Sequence, residues 1–297
     1  MSRLLLVDKP AGPTSHDIVD QLRRQLGVKK AGHCGTLDPM ASGLLLILTG
    51  RGTRLAEVFG QHDKIYRATV RFGSATDSDD KDGAVVARLA GFRLEAASLS
   101  AALAILAARD SQRPPVYSAI KVAGVPSYRR ARRGEEAAGP LPARPVRIAR
   151  LELMALREDE ADLEVHCSAG TYVRALARDL GEILGIPAHL SALRRLRSGP
   201  FRVEEALPPA AFAGLKDPGL SLAAALANLP ELAVSDAYRE RLAHGAQPQP
   251  RDLLGELPPP GTWVRLMAGT GELLALGRVE ADPVPTLKLR RHLGEGF

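Results

Sequence analysis

The chain has 297 residues, 45% of them hydrophobic and 25% charged, proportions that allow a substantial core without metal or disulfide support. Two cysteines, Cys34 and Cys167, make no disulfide framework, and no apolar run approaches the roughly 20 residues of a membrane span, so a reducing, cytoplasmic setting with no membrane partner is expected. The net charge is +6, yet residues 113–150 hold nine Lys and Arg against only Glu135 and Glu136, a local excess that is the electrostatic footprint of a polyanion.

In chain order, Leu4 to Val7 reads as a short buried strand. Thr14 and Ser15 are placed to cap a helix in which Ile18, Val19, Leu22 and Leu26 recur at helical spacing, with Gly27 ending it. Leu44 to Leu48 is a second apolar run. Lys64 to Phe72 alternates and reads as a strand, and the acidic stretch after Ala75 reads as a polar turn. Leu99 to Ala108 reads as a helix. Pro114, Pro115, Pro126, Pro140, Pro142 and Pro145 then break any long element, so residues 111–150 form an excursion from the core. Val146 to Leu156 and Leu163 to Cys167 read as strands, 171–184 as a helix and Leu193 to Phe201 as a strand. Residues 207–230 suggest a helix and linker. From about Leu232, "TWVRLMA", "ELLALGRVE" and "TLKLRRHL" have the texture of a small β-barrel. Strands and helices mixed without regular alternation predict an α+β fold, a mostly antiparallel sheet flanked by helices.

The stretch "GHCGTLDPMASG", residues 32–43, holds one carboxylate, Asp38, among three glycines. Asp38 either caps a short helix opening at Pro39 or reacts with a ligand for which Gly32, Gly35 and Gly43 leave room. His33 and Cys34 are adjacent and aim poorly at one ion, so no metal site is expected. "DSDDKDG" fails as a calcium loop: with Ser78 at its first position, Gly83 falls at the sixth but Leu89 at the twelfth. Phosphate-binding and dinucleotide-binding glycine motifs are absent.

The ordered blocks "LLLVDKPAGPTSHDIV", "AGHCGTLDPMASGLLLILTG", "DKIYRATVRFG", "TDSDDKDG", "RPPVYSAIKVAG", "CSAGTYVRALARDLG" and "ALRRLRSGPF" resemble the tRNA pseudouridine synthase B (TruB) family from about Leu4 to Arg202. The tail resembles the RNA-binding PUA domain. The resemblance implies a catalytic domain over residues 1–228, with a basic thumb insertion at 113–150, and a PUA-like domain over 229–297. It implies a monomeric isomerase that works without cofactor or metal on the T arm of tRNA, turning the uridine at position 55 into its C-glycoside.

The same resemblance assigns Asp38 as the essential carboxylate, kept ionised by Arg174 lowering its pKa, with Asp80 bracing that arginine. Tyr66 is expected against the flipped base, suited to a late proton transfer at C5. His33 is expected to stack where the nucleotides leave the loop, and Leu193 to wall the pocket. Lys64 is grouped with the RNA-binding residues. Lys9 and Pro10 are expected to hold the active-site loop. Arg129, Arg130, Arg132 and Arg133 are expected on phosphates, and "LKLRR" (Leu287 to Arg291) is a second possible RNA contact. Cys34 stands where the family pattern has Thr or a similar small residue. Rival readings are an RNA chaperone indifferent to Asp38, a glycosidase that releases the base, and a guide-RNA-dependent enzyme of the same superfamily.

Overall fold

The computed structural model describes residues 2–118, 120–122, 125–127, 141–242, 244–281 and 285–293. Its centre is a nine-stranded sheet. The main strands are β1 (Arg3–Lys9), β2 (Ala31–His33), β3 (Ser42–Thr49), β4 (Lys64–Phe72), β5 (Ile148–Leu156), β6 (Glu160–Cys167) and β7 (Ala188–Ser198). They run in the order β5-β6-β4-β7-β3-β1, with Leu220–Ser221 beyond β1, β2 also paired to β3, and Phe201–Arg202 paired to β7. Within this sheet β7 and β3 are parallel, placing Arg194 and Arg195 beside Ser42 and Gly43, and the other described pairings are antiparallel. This is the expected mixed, mostly antiparallel α+β architecture.

β1 and β3 are apolar without alternation because both faces are covered. Leu5, Val7, Leu45 and Ile47 enter one core, while Leu4, Leu44, Leu46 and Leu48 enter another. The first core carries helices α1 (Ser15–Gln25), α2 (Ala96–Ala107) and α3 (Val173–Leu184), docked through residues such as Ile18, Leu22, Leu103, Leu106, Leu176 and Leu180. α1 begins as predicted: Asp17 N–H donates to Thr14 Oγ1, and the Asp17 carboxylate accepts the Thr14 N–H. β4 alternates as predicted, with Lys64, Tyr66, Ala68, Val70 and Phe72 turned inward.

Other elements differ from expectation. β7 starts at Ala188 rather than Leu193 because polar His189 and Ser191 mask it. Both find carbonyl partners: His189 Nδ1 lies 2.8 Å from the Ser74 oxygen, and Ser191 Oγ donates to Thr69 at 3.2 Å. The acidic turn sits inside a small hairpin, Ser74–Thr76 against Val85–Arg88. Residues 207–230 make no long helix. Pro208, Pro209 and Pro218 limit them to the turns Pro209–Phe212 and Leu222–Ala225 and the short pairing with β1.

The tail forms a five-stranded sheet of Leu253–Leu254, β8 (Glu231–Val234), β9 (Trp263–Met267), β10 (Leu273–Ala281) and β11 (Pro285–His292). It curls as a half-barrel, with its two outer strands unpaired to each other, where a barrel was expected. Helix α4 (Asp236–Leu242), unforeseen in the sequence, plugs it with Tyr238 and Leu242. Leu276 and Leu293 leave this tail core and join the second core of the large sheet, alongside Leu55, Phe59 and Phe201.

Candidate active site

Asp38 lies in the loop between β2 and β3. No helix opens at Pro39; a turn closes there, with Ala41 N–H donating to the Asp38 carbonyl at 3.1 Å. The Asp38 carboxylate instead meets Arg174 through both oxygens, at 2.9 Å to Nε and 3.2 Å to Nη2. Two parallel bonds between a guanidinium and a carboxylate fix orientation as well as charge. Arg174 Nη1 also lies 3.4 Å from Asp80 and donates to the Ser78 carbonyl at 2.9 Å, while Nη2 donates to the Tyr117 carbonyl at 3.0 Å. The Arg174 and Asp80 side chains are 6% and 8% exposed, that of Asp38 31%. Of the three charged groups, Asp38 is the one open to a ligand.

Neighbouring elements set this geometry. α3 begins at Val173 without a side-chain cap of its own. Gln112 instead pins the residue before the helix: its Oε1 accepts the Tyr172 N–H at 2.9 Å and its Nε2 donates to the Tyr172 carbonyl at 3.1 Å. That holds the helix start two residues before Arg174. Asp79 adopts a left-handed conformation, φ 62°, with its carboxylate 2.8 Å from Arg178. Asp80 is thereby turned inward, where its Oδ1 accepts from Ser78 Oγ at 2.7 Å and from Asp82 N–H at 3.1 Å.

The Asp38 loop is clamped from several sides. Buried Lys9 donates to the carbonyls of Pro10, Pro39 and Ala41 at 2.9, 3.3 and 2.7 Å. Ser15 Oγ donates to the Leu37 carbonyl at 2.9 Å and accepts the Leu37 N–H at 2.8 Å. Arg195 donates to the carbonyls of Leu44 at 2.6 Å, Thr36 at 3.4 Å and Gly35 at 3.2 Å. Gly43, φ 101°, lets β7 pass close, since a Cβ there would fall 2.3 Å from the Arg195 carbonyl oxygen. The loop-holding role expected of Lys9 matches these bonds. Ser15 and Arg195 were not singled out. Arg195 did leave a signal: adjacent strand residues face opposite ways, so one of Arg194 and Arg195 had to point inward. Arg194 takes the outer face, on Asp8 at 3.0 and 2.8 Å.

The structure brings Asp38, Arg174 and Asp80 into direct contact and sets Tyr66 and Leu193, both buried, on the adjoining strands β4 and β7 within the core that also holds Leu37 and Met40. His33 ends β2, its buried Nδ1 without a partner among the described residues, and burial holds its pKa below the ordinary value. Lys64 is turned away from solvent. Its ammonium donates to the carbonyls of Gly60 and His62, and burial pulls its pKa down to about 8. That geometry makes it a brace for the turn before β4 rather than an exposed RNA contact. Arg129, Arg130, Arg132 and Arg133 lie outside the described residues.

The electrostatics correct one expectation. Arg174 does pull the Asp38 carboxyl down, but burial pushes it up more strongly, and Asp80 adds to the rise; the result lies above the ordinary carboxylate range. Burial likewise raises the Tyr66 phenol, against the pull of Arg195. Lys9 is brought down to about 8 by burial, with Asp38 opposing. Among the described residues, no group of three or more His, Cys, Asp and Glu side chains is gathered for a metal ion.

Two family models match the chain: the TruB family pseudouridylate synthase N-terminal domain over residues 23–173, and the tRNA pseudouridylate synthase B C-terminal domain over residues 174–210. The tRNA pseudouridine synthase B of Corynebacterium aurimucosum is 43% identical over 282 residues, covering 92% of this chain and 94% of its own. That of Nocardia farcinica is 47% identical over 207 residues, 68% and 67% of the two chains. Among solved structures, a chain of an H/ACA ribonucleoprotein bound to a substrate RNA containing 2′-deoxyuridine superposes with a TM-score of 0.71 at 23% identity, over 98% of this chain and 84% of that one. A chain of a Cbf5–Nop10–Gar1 complex gives the same TM-score at 25% identity and the same coverage. These two likenesses speak to the fold.

Proposed function

This chain belongs to the TruB family of pseudouridylate synthases, and from that membership we propose that it isomerises the T-loop uridine at position 55 of tRNA, with Asp38 as the reacting carboxylate. The chain is a tRNA pseudouridine synthase, an isomerase. The N-glycosidic bond breaks, the uracil turns over, and C5 joins the same ribose carbon. An ionised carboxylate beside that carbon either captures the electron-poor ribose or takes a proton from it. The observation that supports this role is the two-point contact with Arg174, in which Asp38 alone keeps an open face.

A base stacked in the T loop has to leave its stack to reach a carboxylate in this loop, at roughly a few kcal/mol. Tyr66 and Leu193 are suited to receive it, and His33, neutral by burial, to stack near the loop's edge. The basic residues of 113–150, including Arg129, Arg130, Arg132 and Arg133, are proposed to lie on phosphates, giving affinity that weakens with salt. We assign residues 1–228 to the catalytic domain and 229–297 to a PUA-like domain, in a protein acting as a monomer on the T arm. The "LKLRR" stretch supports an RNA contact less well than its charge suggested: Arg290 pairs with Glu280, and Arg291 with Glu57 at 2.6 Å.

The test is tritium release from a T-arm stem-loop carrying [5-³H]uridine, with wild type and Asp38→Asn side by side. Wild type should release the label. Asp38→Asn should bind the RNA and lose release by on the order of 10³-fold or more. Release by Asp38→Asn at the wild-type rate would refute the role of Asp38. Release from whole tRNA but not from the stem-loop would refute the T arm as sufficient substrate, and free uracil would point to a glycosidase.

A further inference from the structure

Arg195 is a buried cation with no acid. Among the described residues its side chain meets no carboxylate; it donates to three backbone carbonyls and lies within hydrogen-bonding reach of the Tyr66 phenol, and the residue is 2% exposed. The other arginines of the site region differ: Arg174, Arg178 and Arg194 each meet a carboxylate. A buried guanidinium that finds neutral dipoles and no carboxylate is incompletely compensated, and its charge acts on whatever lies beside it.

What lies beside it is Tyr66. The two residues stand directly opposite one another in the β4–β7 ladder, both on the inward face, and the register shift between Leu190 and Ala192 is what brings Leu193 and Arg195 onto it. The other groups around the pair are accounted for. Asp38, the nearby anion on the loop, is engaged by Arg174. Cys167 on β6 and Cys34 beyond β2 stay thiols, pushed up to about 11 and about 12 by burial. His33 on β2 is held neutral. Lys9 on β1 and Lys64 on β4 direct their ammonium groups at carbonyls.

We propose that Arg195 is a positioning residue of the isomerisation: one guanidinium fastens the Asp38 loop to β7 and supplies the positive charge that lets Tyr66, as phenolate, take the proton from C5 of the rotated uracil. This rests on the reading of Asp38 and Tyr66 given above. In that step the C5–H bond breaks and its electron pair restores the C5–C6 double bond, the C6=N1 π pair moves onto N1, which takes a proton from water, and the C5 proton passes to the phenolate oxygen, which later returns it to water. Burial by itself drives the phenol up, and Arg195 is the largest opposing pull.

The experiment compares Arg195→Met, which removes the charge, with Arg195→Lys, which keeps it, and with Tyr66→Phe. Single-turnover tritium release at saturating stem-loop RNA is followed from about pH 6.5 to 9.5, together with RNA affinity, and the ultraviolet absorbance of tyrosinate is titrated separately to about pH 12, assigned by its absence in Tyr66→Phe. Arg195→Met should bind RNA within about twofold of wild type and lose about tenfold in rate at each pH of this range, because a phenol raised above its ordinary value stays mostly protonated throughout and each unit of its pKa is a tenfold change in phenolate. The tyrosinate transition should move up by about one unit in Arg195→Met and stay near wild type in Arg195→Lys. A rate loss with the tyrosinate transition unmoved, or an equal loss in Arg195→Lys, would overturn the proposal and leave Arg195 as a fastener only. Full-rate release by Tyr66→Phe would instead refute the reading of Tyr66, a separate result. If Arg195→Met does not fold, Arg195→Gln, which removes the charge but keeps donors for the carbonyls, gives the same readouts.

Discussion

Asp38 sits between opposed pulls, and their balance sets where the enzyme can work. Burial and Asp80 raise its carboxyl above the ordinary range; Arg174 and Lys9 lower it. The ionised form is the one that reacts, so activity should fall on acidification at a higher pH than a free aspartate would titrate. Arg174→Met removes the strongest downward pull. The acid limb of the pH–rate profile should then move further up, since the folded-state pKa rises again. The same change leaves Asp80 buried without its cation, which should cost about 3–5 kcal/mol in urea unfolding. An acid limb that stays in place would show that Arg174 does not act on Asp38 through charge.

At the scale of elements, the site loop takes its shape from the strands around it. β7 crosses Gly43 so closely that a side chain there has no room, and its φ of 101° strains any other residue. Gly43→Ala should therefore destabilise by about 2–5 kcal/mol, the sum of left-handed strain and overpacking. Gly32, on β2 in the same motif, has nothing within 4 Å of an added Cβ and no positive φ. Gly32→Ala should shift stability by less than about 1 kcal/mol. Thermal melts of the two variants decide it, and equal losses would mean that the close passage of β7 does not govern the loop. α3 shows the same dependence: Gln112, from the stem of the basic segment, pins Tyr172 just before its start, so Arg174 is aimed partly by a residue about sixty positions away in sequence.

At the scale of the whole molecule, the tail sheet is held to the catalytic sheet chiefly by apolar contact. Leu276 and Leu293 pack with Leu55, Phe59 and Phe201. The ion pair of Arg291 with Glu57 is half exposed, at 34% and 58%. Leu276→Ala should cost about 2–5 kcal/mol, a buried leucine truncated in a packed core. Arg291→Ala should cost about 0–1 kcal/mol, as exposed pairs do. If the order is reversed in denaturant unfolding, charge rather than packing holds the two sheets together.

Periodicity alone carried much of the fold. The runs at Leu4–Val7 and Leu44–Leu48, the alternation of Lys64–Phe72 and the apolar face of 173–184 all became the predicted elements, because each pattern reports which side chains face the core. The ordered motifs likewise singled out Asp38, Arg174 and Asp80, which the fold then placed in contact. What the sequence by itself determined was therefore most strands and helices of the large sheet, and the acids and cation that pair side chain to side chain. Only the tertiary structure decided that Lys64 faces inward onto a turn, that Arg195 is the inward arginine beside Tyr66, that Gln112 pins the residue before α3, and that burial outweighs Arg174 at Asp38. The reason is physical. A lysine or arginine that gives its donors to backbone carbonyls has partners present at every residue, so no pattern of side chains marks the pairing. Burial, which sets the sign of the Asp38 shift, exists only once distant strands have closed over the loop.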